Sequence, residues 1–337
     1  MPANRVYYHA IYSNIFFPLF QALFSFMQRV VPILSSADDT ETALCNLDKE
    51  GKLKDVLNAK DEHGDTLAHF AARDHYLPTL RVLHDYGANM EAVNDHGRRP
   101  LHEAIDSFDS LKGRLDIVKL LDQVGGAKLN LVNKDQRTAL HLAAEQGHVE
   151  VVRYLAERAP ASITQPSRSG RLPLQIAAAQ ETNHDAAYAI ATLLFTPAQL
   201  QHRDKSGRSV LQDAVVSKNM RLIHFLLDNG ANPNDADSIG RNVIHHGAMI
   251  GHLDVLQMLQ STVKLDWDAP DGWDGWTPLM HAARQGHLNV VRFLVESTHA
   301  DTQRRDKRGR LPRDLGKSKE RMCVTPLKGV RTKYRSE

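Results

Sequence analysis

The 337-residue sequence is short of the residues on which most recognisable chemistry depends. It has two cysteines, Cys45 and Cys323, near opposite ends. They are not expected to meet, so there is no disulfide framework, which points to a reducing compartment: cytoplasmic, with the nucleus left open. There is no Cys-x-x-Cys pair, no Gly-rich phosphate loop and no nucleophile elbow. With those absent, no catalytic set emerges, and no cofactor or metal is implied. Charge of one sign is also lacking: 42 Lys and Arg face 40 Asp and Glu, a net +2. A chain-wide polycation for nucleic acid is thereby excluded. The most apolar stretch, Ile15 to Met27, is interrupted by Pro18 and Gln21. That falls short of the roughly 20 apolar residues a membrane span needs. What remains, 42% apolar and 24% charged, is an ordinary globular composition.

What the sequence does have is a period. Gly64-Asp65-Thr66-Leu67-Ala68-His69 returns as Gly97-Arg98-Arg99-Pro100-Leu101-His102 and as Gln136-Arg137-Thr138-Ala139-Leu140-His141. Five more copies start at Gly170, Gly207, Gly240, Gly275 and Gly309, giving spacings of 33, 39, 34, 37, 33, 35 and 34. Seven positions after His141 stands His148 behind Gly147; His252 behind Gly251 and His287 behind Gly286 repeat the pair. A fixed period in this range means stacked units that cannot bury their apolar faces alone.

The paired motif resembles the ankyrin repeat family from about Asp39 to Leu315. The fold expected is an all-α ankyrin-repeat solenoid with short β-hairpin tips, about seven full repeats plus capping half-repeats. The Thr-Pro pair of the motif, as in Thr277-Pro278, opens the first helix. The glycine of Gly-His ends it with positive φ. Val151, Val152 and Leu155 form one face of a second helix. Asp204-Lys205-Ser206-Gly207 and Asp237-Ser238-Ile239-Gly240 have the composition of a tight turn. A degenerate helix pair from Thr40 to Asn58, burying Ala43, Leu44, Leu47, Leu53, Val56 and Leu57, reads as the N-terminal cap. The organisation expected is an apolar extension over 1–36, the array over 37–316 and a basic tail over 317–337.

Of the 18 histidines, His69, His102, His141 and His245 occupy the motif position, and His148, His252 and His287 follow the turn glycine. The resemblance implies that they bond backbone between repeats, which argues against metal ligation. Residues 7–34 leave three readings open: a gene-model extension ahead of Met27, an interfacial or packing helix, and a signal or membrane anchor. Residues 303–337 hold thirteen Lys or Arg against four Asp or Glu. They read as a solvated tail or as a contact for an acidic partner. With Tyr334 as the one aromatic there, nucleic acid is weakly supported.

A partner surface is expected on the concave face formed by hairpin tips and first helices. Arg98, Arg137, Arg171, Arg208, Arg241 and Arg310 recur at one motif position. That ladder suits a protein partner rich in carboxylate or phosphate. It is interrupted by all three tryptophans, Trp267, Trp273 and Trp276, among Asp266, Asp268, Asp271 and Asp274. Trp273 and Trp276 fall on a tip and are candidate hot spots.

The segments Leu44 to Leu53, Gly64 to Arg73 and Met90 to Asn94 carry a narrower resemblance, to family members that associate with alanyl-tRNA synthetase and limit serine mischarging. That resemblance implies an acceptor lysine at Lys134. The chain departs from the pattern where a repeat is missing between Leu121 and Leu131, and where Thr164 replaces the next lysine. The expected function is therefore a non-enzymatic protein-interaction scaffold. An editing cofactor for the synthetase and a membrane-tethered adaptor are the alternatives.

Overall fold

The computed structural model describes residues 34–106 and 114–316. The apolar stretch up to residue 33 and the tail from residue 317 lie outside the described residues, as do the expectations that fall on them. The chain divides into two compact units, Met1–Arg168 and Ser169–Glu337.

In the first unit, α1 (Ala37–Lys49) and α2 (Leu53–Leu57) precede three helix pairs. These are α3 (Leu67–Arg73) with α4 (Leu77–Asp85), α5 (Pro100–Asp106) with α6 (Arg114–Gln123), and α7 (Ala139–Gln146) with α8 (Val149–Arg158). The first helix begins a turn before Thr40 because the Ser36 hydroxyl accepts the Asp39 N–H. Leu44, Val56 and Leu57 are buried there, whereas Ala43, Leu47 and Leu53 are half-buried.

The second unit has four pairs and one last short helix. They are α9 (Pro173–Ala178) with α10 (His184–Leu194), α11 (Val210–Val216) with α12 (Met220–Asp228), α13 (Val243–Ile250) with α14 (Leu253–Thr262), and α15 (Pro278–Gln285) with α16 (Leu288–Glu296). Helix α17 (Pro312–Leu315) ends the described residues. The seven pairs and the partial units beside them match the expected solenoid.

Local rules set the boundaries. Thr138 caps α7 reciprocally: its hydroxyl accepts the His141 N–H at 3.4 Å, and its own N–H donates to His141 Nδ1 at 3.1 Å. Ser209 and Gln212 do the same for α11. The turn after the first helix needs a left-handed residue: Gly147 has φ 74°, Gly251 86° and Gly286 84°. Buried Leu, Val, Ile and Ala then fill the space between helix pairs. Leu140, Leu142 and Val152 are wholly buried in the first unit, and Ile223, Leu256 and Leu294 in the second. Each such side chain contributes about 1.5–3 kcal/mol relative to exposure.

Candidate interaction surface on the repeat tips

Between one pair and the next the chain makes a short tip. Its first residue is an Asp or Asn whose side chain builds the turn. Asn94 Oδ1 accepts the N–H groups of His96 and Arg98 at 3.0 and 2.9 Å. Asn133, Asp204, Asp237 and Asp306 each accept the equivalent two. A backbone bond then closes five residues, as from Asn133 N to Arg137 O at 3.0 Å. The arms are too short to be strands; an isolated bridge joins Val132 to Thr138.

Each tip is also bonded to its neighbour. In the first unit Asp95 N donates to His63 O, Lys134 N to His96 O and Arg168 N to Asp135 O, at 2.8–3.1 Å. In the second, Lys205 N donates to Ser169 O, Ser238 N to Ser206 O, Gly272 N to Ile239 O and Lys307 N to Asp274 O. Glycine is required where tips approach: a Cβ on Gly97 would stand 2.7 Å from Lys134 N. Gln136 takes this place in its own tip with φ 56°, a conformation that disfavours a side chain.

The motif histidines complete the frame. His69 Nδ1 accepts the Thr66 N–H, so its Nε2 carries the proton and donates to Arg98 O at 3.1 Å. Gln212 Nε2 donates to Arg241 O at 2.8 Å in the same role. His252 and His287 reach back to the carbonyls of Val216 and Met249. Among the described residues no group of three or more potential ligands is placed for a metal ion. Burial holds His102 and His245 neutral, their pKa lowered to about 4.

The six arginines of the ladder are engaged within the stack. Arg98 pairs with Asp106 at 2.6 Å, Arg137 with Glu145 at 2.6 Å, and Arg171 with Asp213 at 2.7 Å. Arg208 lies 3.6 Å from Asp213, while Arg241 and Arg310 pair with Asp237 and Asp306 at 3.0 and 2.8 Å. Their side chains are 20–35% exposed, so each offers a partner an edge and not a free charge. Burial pushes the Asp213 carboxyl up to about 7 against the pull of Arg171 and Arg208.

The structure separates the three tryptophans. Trp267 packs edge-on against Phe293. Trp276 is half-buried, donates Nε1–H to Asp306 at 3.1 Å and lies under Arg310. Trp273 is 70% exposed. The reason lies in the 35-residue spacing: the extra residue sits in this tip, closed over six residues by Asp271 N to Trp276 O at 2.8 Å. Asp271, expected as a rim charge, is buried and bonds His281. The spacing was the available signal for the longer tip, but it does not say which part of a repeat has grown.

Lys134 is exposed on its tip. It lines a cleft of about 450 Å³ with His96, Arg98, Asp135 and Arg168. Sequence reasoning singled out Arg98 and Lys134 but not His96, Asp135 or Arg168. Their contribution depends on three successive tips standing side by side.

Comparison with known proteins agrees with this frame. A family model, ankyrin repeats in three copies, matches residues 33–123, 108–204 and 211–306. The Neurospora crassa ankyrin repeat protein nuc-2 is 28% identical over 63% of this chain and 16% of its own length. The probable 26S proteasome regulatory subunit p28 of Saccharomyces cerevisiae is 24% identical over 71% of this chain and 88% of its own. The chain spans about a fifth or less of the first curated relatives it matches, Drosophila melanogaster transient receptor potential cation channel subfamily A member 1 included, at 20%. Among solved structures, the ankyrin repeat domain of Bcl-3 superposes with a TM-score of 0.52 at 26% identity, over 69% of this chain and 99% of that one. Matched over most of its length by the family model, the chain belongs to the ankyrin repeat family.

Proposed function

We propose that the chain is a protein-interaction adaptor whose partner lies across the repeat tips and first helices. The observation that carries this is Trp273, a 70% exposed tryptophan on a tip held from both sides. Gly272 N bonds Ile239 O on one side. On the other, Lys307 Nζ donates to the carbonyls of Gly272 and Trp273 at 2.6 and 2.8 Å. An aromatic on a pinned backbone gives up little conformational freedom on binding, which is how hot spots work. Relatives of this family bind other proteins, and nothing in the arrangement asks for catalysis. The test is affinity capture from lysate followed by titration of the captured partner. Trp273→Ala should weaken its binding by about 2 kcal/mol. Unchanged affinity removes the tip from the reading.

One observation favours a second reading, the editing cofactor suggested by the likeness to ankyrin repeat domain-containing protein sixteen. The Lys134 ammonium has no acceptor among the described residues. As the free amine, Nζ would attack the carbonyl carbon of seryl-adenylate, form an amide and release AMP. Intact-mass analysis after incubation with alanyl-tRNA synthetase, ATP and serine should show a seryl adduct that Lys134→Arg abolishes. No adduct discards this reading.

A further inference from the structure

Residues from three successive tips, all of them within the first unit, line the open cleft of about 450 Å³: His96, Arg98, Lys134, Asp135 and Arg168. Its charges do not cancel. Arg98 is committed to Asp106 at 2.6 Å; Glu103, 3.8 Å from it, is held by Arg73 at 3.0 Å and so is answered outside the cleft. Arg168 donates to the Lys134 carbonyl and stands 3.9 Å from Asp135. Lys134 is the remaining cation, and among the described residues nothing accepts from its Nζ. Its root is fixed, because Lys134 N donates to His96 O at 3.1 Å. Its stem crosses Gly97, whose missing Cβ would come within 3.0 Å of Lys134 Cγ.

Lys307 holds the same place in its own tip and behaves otherwise. Its ammonium turns back onto two tip carbonyls. Lys205 is a second equivalent, crossing Gly170 in the same way. Ser238 stands on the tip beyond it where Arg168 stands beyond Lys134. So Lys134 alone of the three combines an open ammonium with a guanidinium on the following tip.

Resting on the reading of the tips as the partner-facing surface, we propose that this cleft seats one carboxylate, an Asp or Glu side chain of an acidic segment in the partner protein. The count of charges decides between anions. With Asp106 and Asp135 already answering two of the three cations, one positive charge is left over. A carboxylate balances it. A phosphate dianion would overfill the site beside Asp135. The Lys134 ammonium supplies the charge, and the planar Arg168 fork orients the two oxygens.

The experiment uses the full chain and a fluorescein-labelled hexaglutamate peptide, read by anisotropy at low salt. Saturable binding should weaken about tenfold in Lys134→Gln and by less than about twofold in Lys205→Gln. Circular dichroism confirms that both variants are folded. Acylation with a succinimidyl ester gives a second reading: hexaglutamate should protect Lys134, and hexaglutamine should not. Equal losses in the two variants would reduce the effect to general attraction and overturn the site, as would no saturable binding. Tighter Lys134-dependent binding of a phosphoserine hexapeptide would overturn the choice of carboxylate. If a captured partner still depends on Trp273 while hexaglutamate fails to bind, the cleft falls and the adaptor reading stands.

Discussion

The tip from Asn133 to Arg137 and the tip from Asp271 to Trp276 are built on the same plan and present opposite chemistry. Both start on an Asx side chain, both close with one backbone bond, and both take a bond from the neighbouring tip. The first spends five residues and shows a charged lysine at a polar cleft. The second spends six and shows a bare indole, its lysine neighbour folded back onto backbone. The motif therefore fixes the backbone and its left-handed residue, glycine in every tip but that of Gln136, and leaves the other residues between Asx and Arg to vary. On the proposed reading recognition falls to those positions, whereas the repeated arginines pair within the stack.

The comparison is broken most severely by removing the core beneath one tip. Leu140 is fully buried in α7, and Leu140→Ala should cost about 2–5 kcal/mol. All three tryptophans lie in the second unit. Urea melts followed by circular dichroism should therefore shift more than melts followed by tryptophan emission. Identical shifts by both probes would show that the units unfold together.

Acid comes next. The histidines His102 in the first unit and His245 in the second are held near 4 against an ordinary 6.5. Unfolded histidine binds the proton first, so this stability is complete above about pH 6.5 and is lost as pH falls toward 4. The loss reaches about 3 kcal/mol for each histidine. Asp213, raised to about 7 from 3.8, works the other way over pH 7 to 3.8 and is large enough to cancel the His245 loss in the second unit, so the net loss falls on the first unit through His102. Urea midpoints that stay level between pH 7.5 and 4.5 would contradict this account.

Exchange of the exposed indole should separate binding from folding. Trp273→Ala should leave the melting temperature unchanged and cost about 2 kcal/mol of partner affinity. Trp276→Ala should do the reverse, since that ring bonds Asp306 and lies under Arg310. A common effect of the two would erase the distinction between them.

The smallest effect concerns the one tip without glycine at its left-handed position. Gln136→Gly should relieve strain at φ 56° and raise stability by about 0.5 kcal/mol, part of the gain going to unfolded-chain entropy. A fall in the urea midpoint would mean that the Gln136 side chain has a role of its own.

The capping pairs and the turn glycines were legible because each depends on residues three to eight apart, and the period because those short patterns recur at spacings of 33 to 39. The Ser36 cap was legible too, but the degenerate first pair drew attention to Thr40 instead. Ion pairs were not legible, because Arg171 meets Asp213 across 42 residues and abundant Asp and Arg allow many pairings. The fates of Trp273 and Trp276 were hidden for a related reason. Both sit on one turn, and only the backbone path over the extra residue decides which ring faces water.

The bonds that run from tip to tip also constrain how such a chain can lengthen. A tip tied on both sides can extrude one residue outward, as at Trp273, but a longer insertion would pull its neighbours out of register. The two largest spacings, 39 and 37, keep five-residue tips and add their residues elsewhere in the repeat. Residues 107–113 fall between α5 and α6, and residues 179–183 between α9 and α10. The joint at 179–183 is therefore where a grafted foreign loop or reporter peptide should leave the spacing of the tips unchanged.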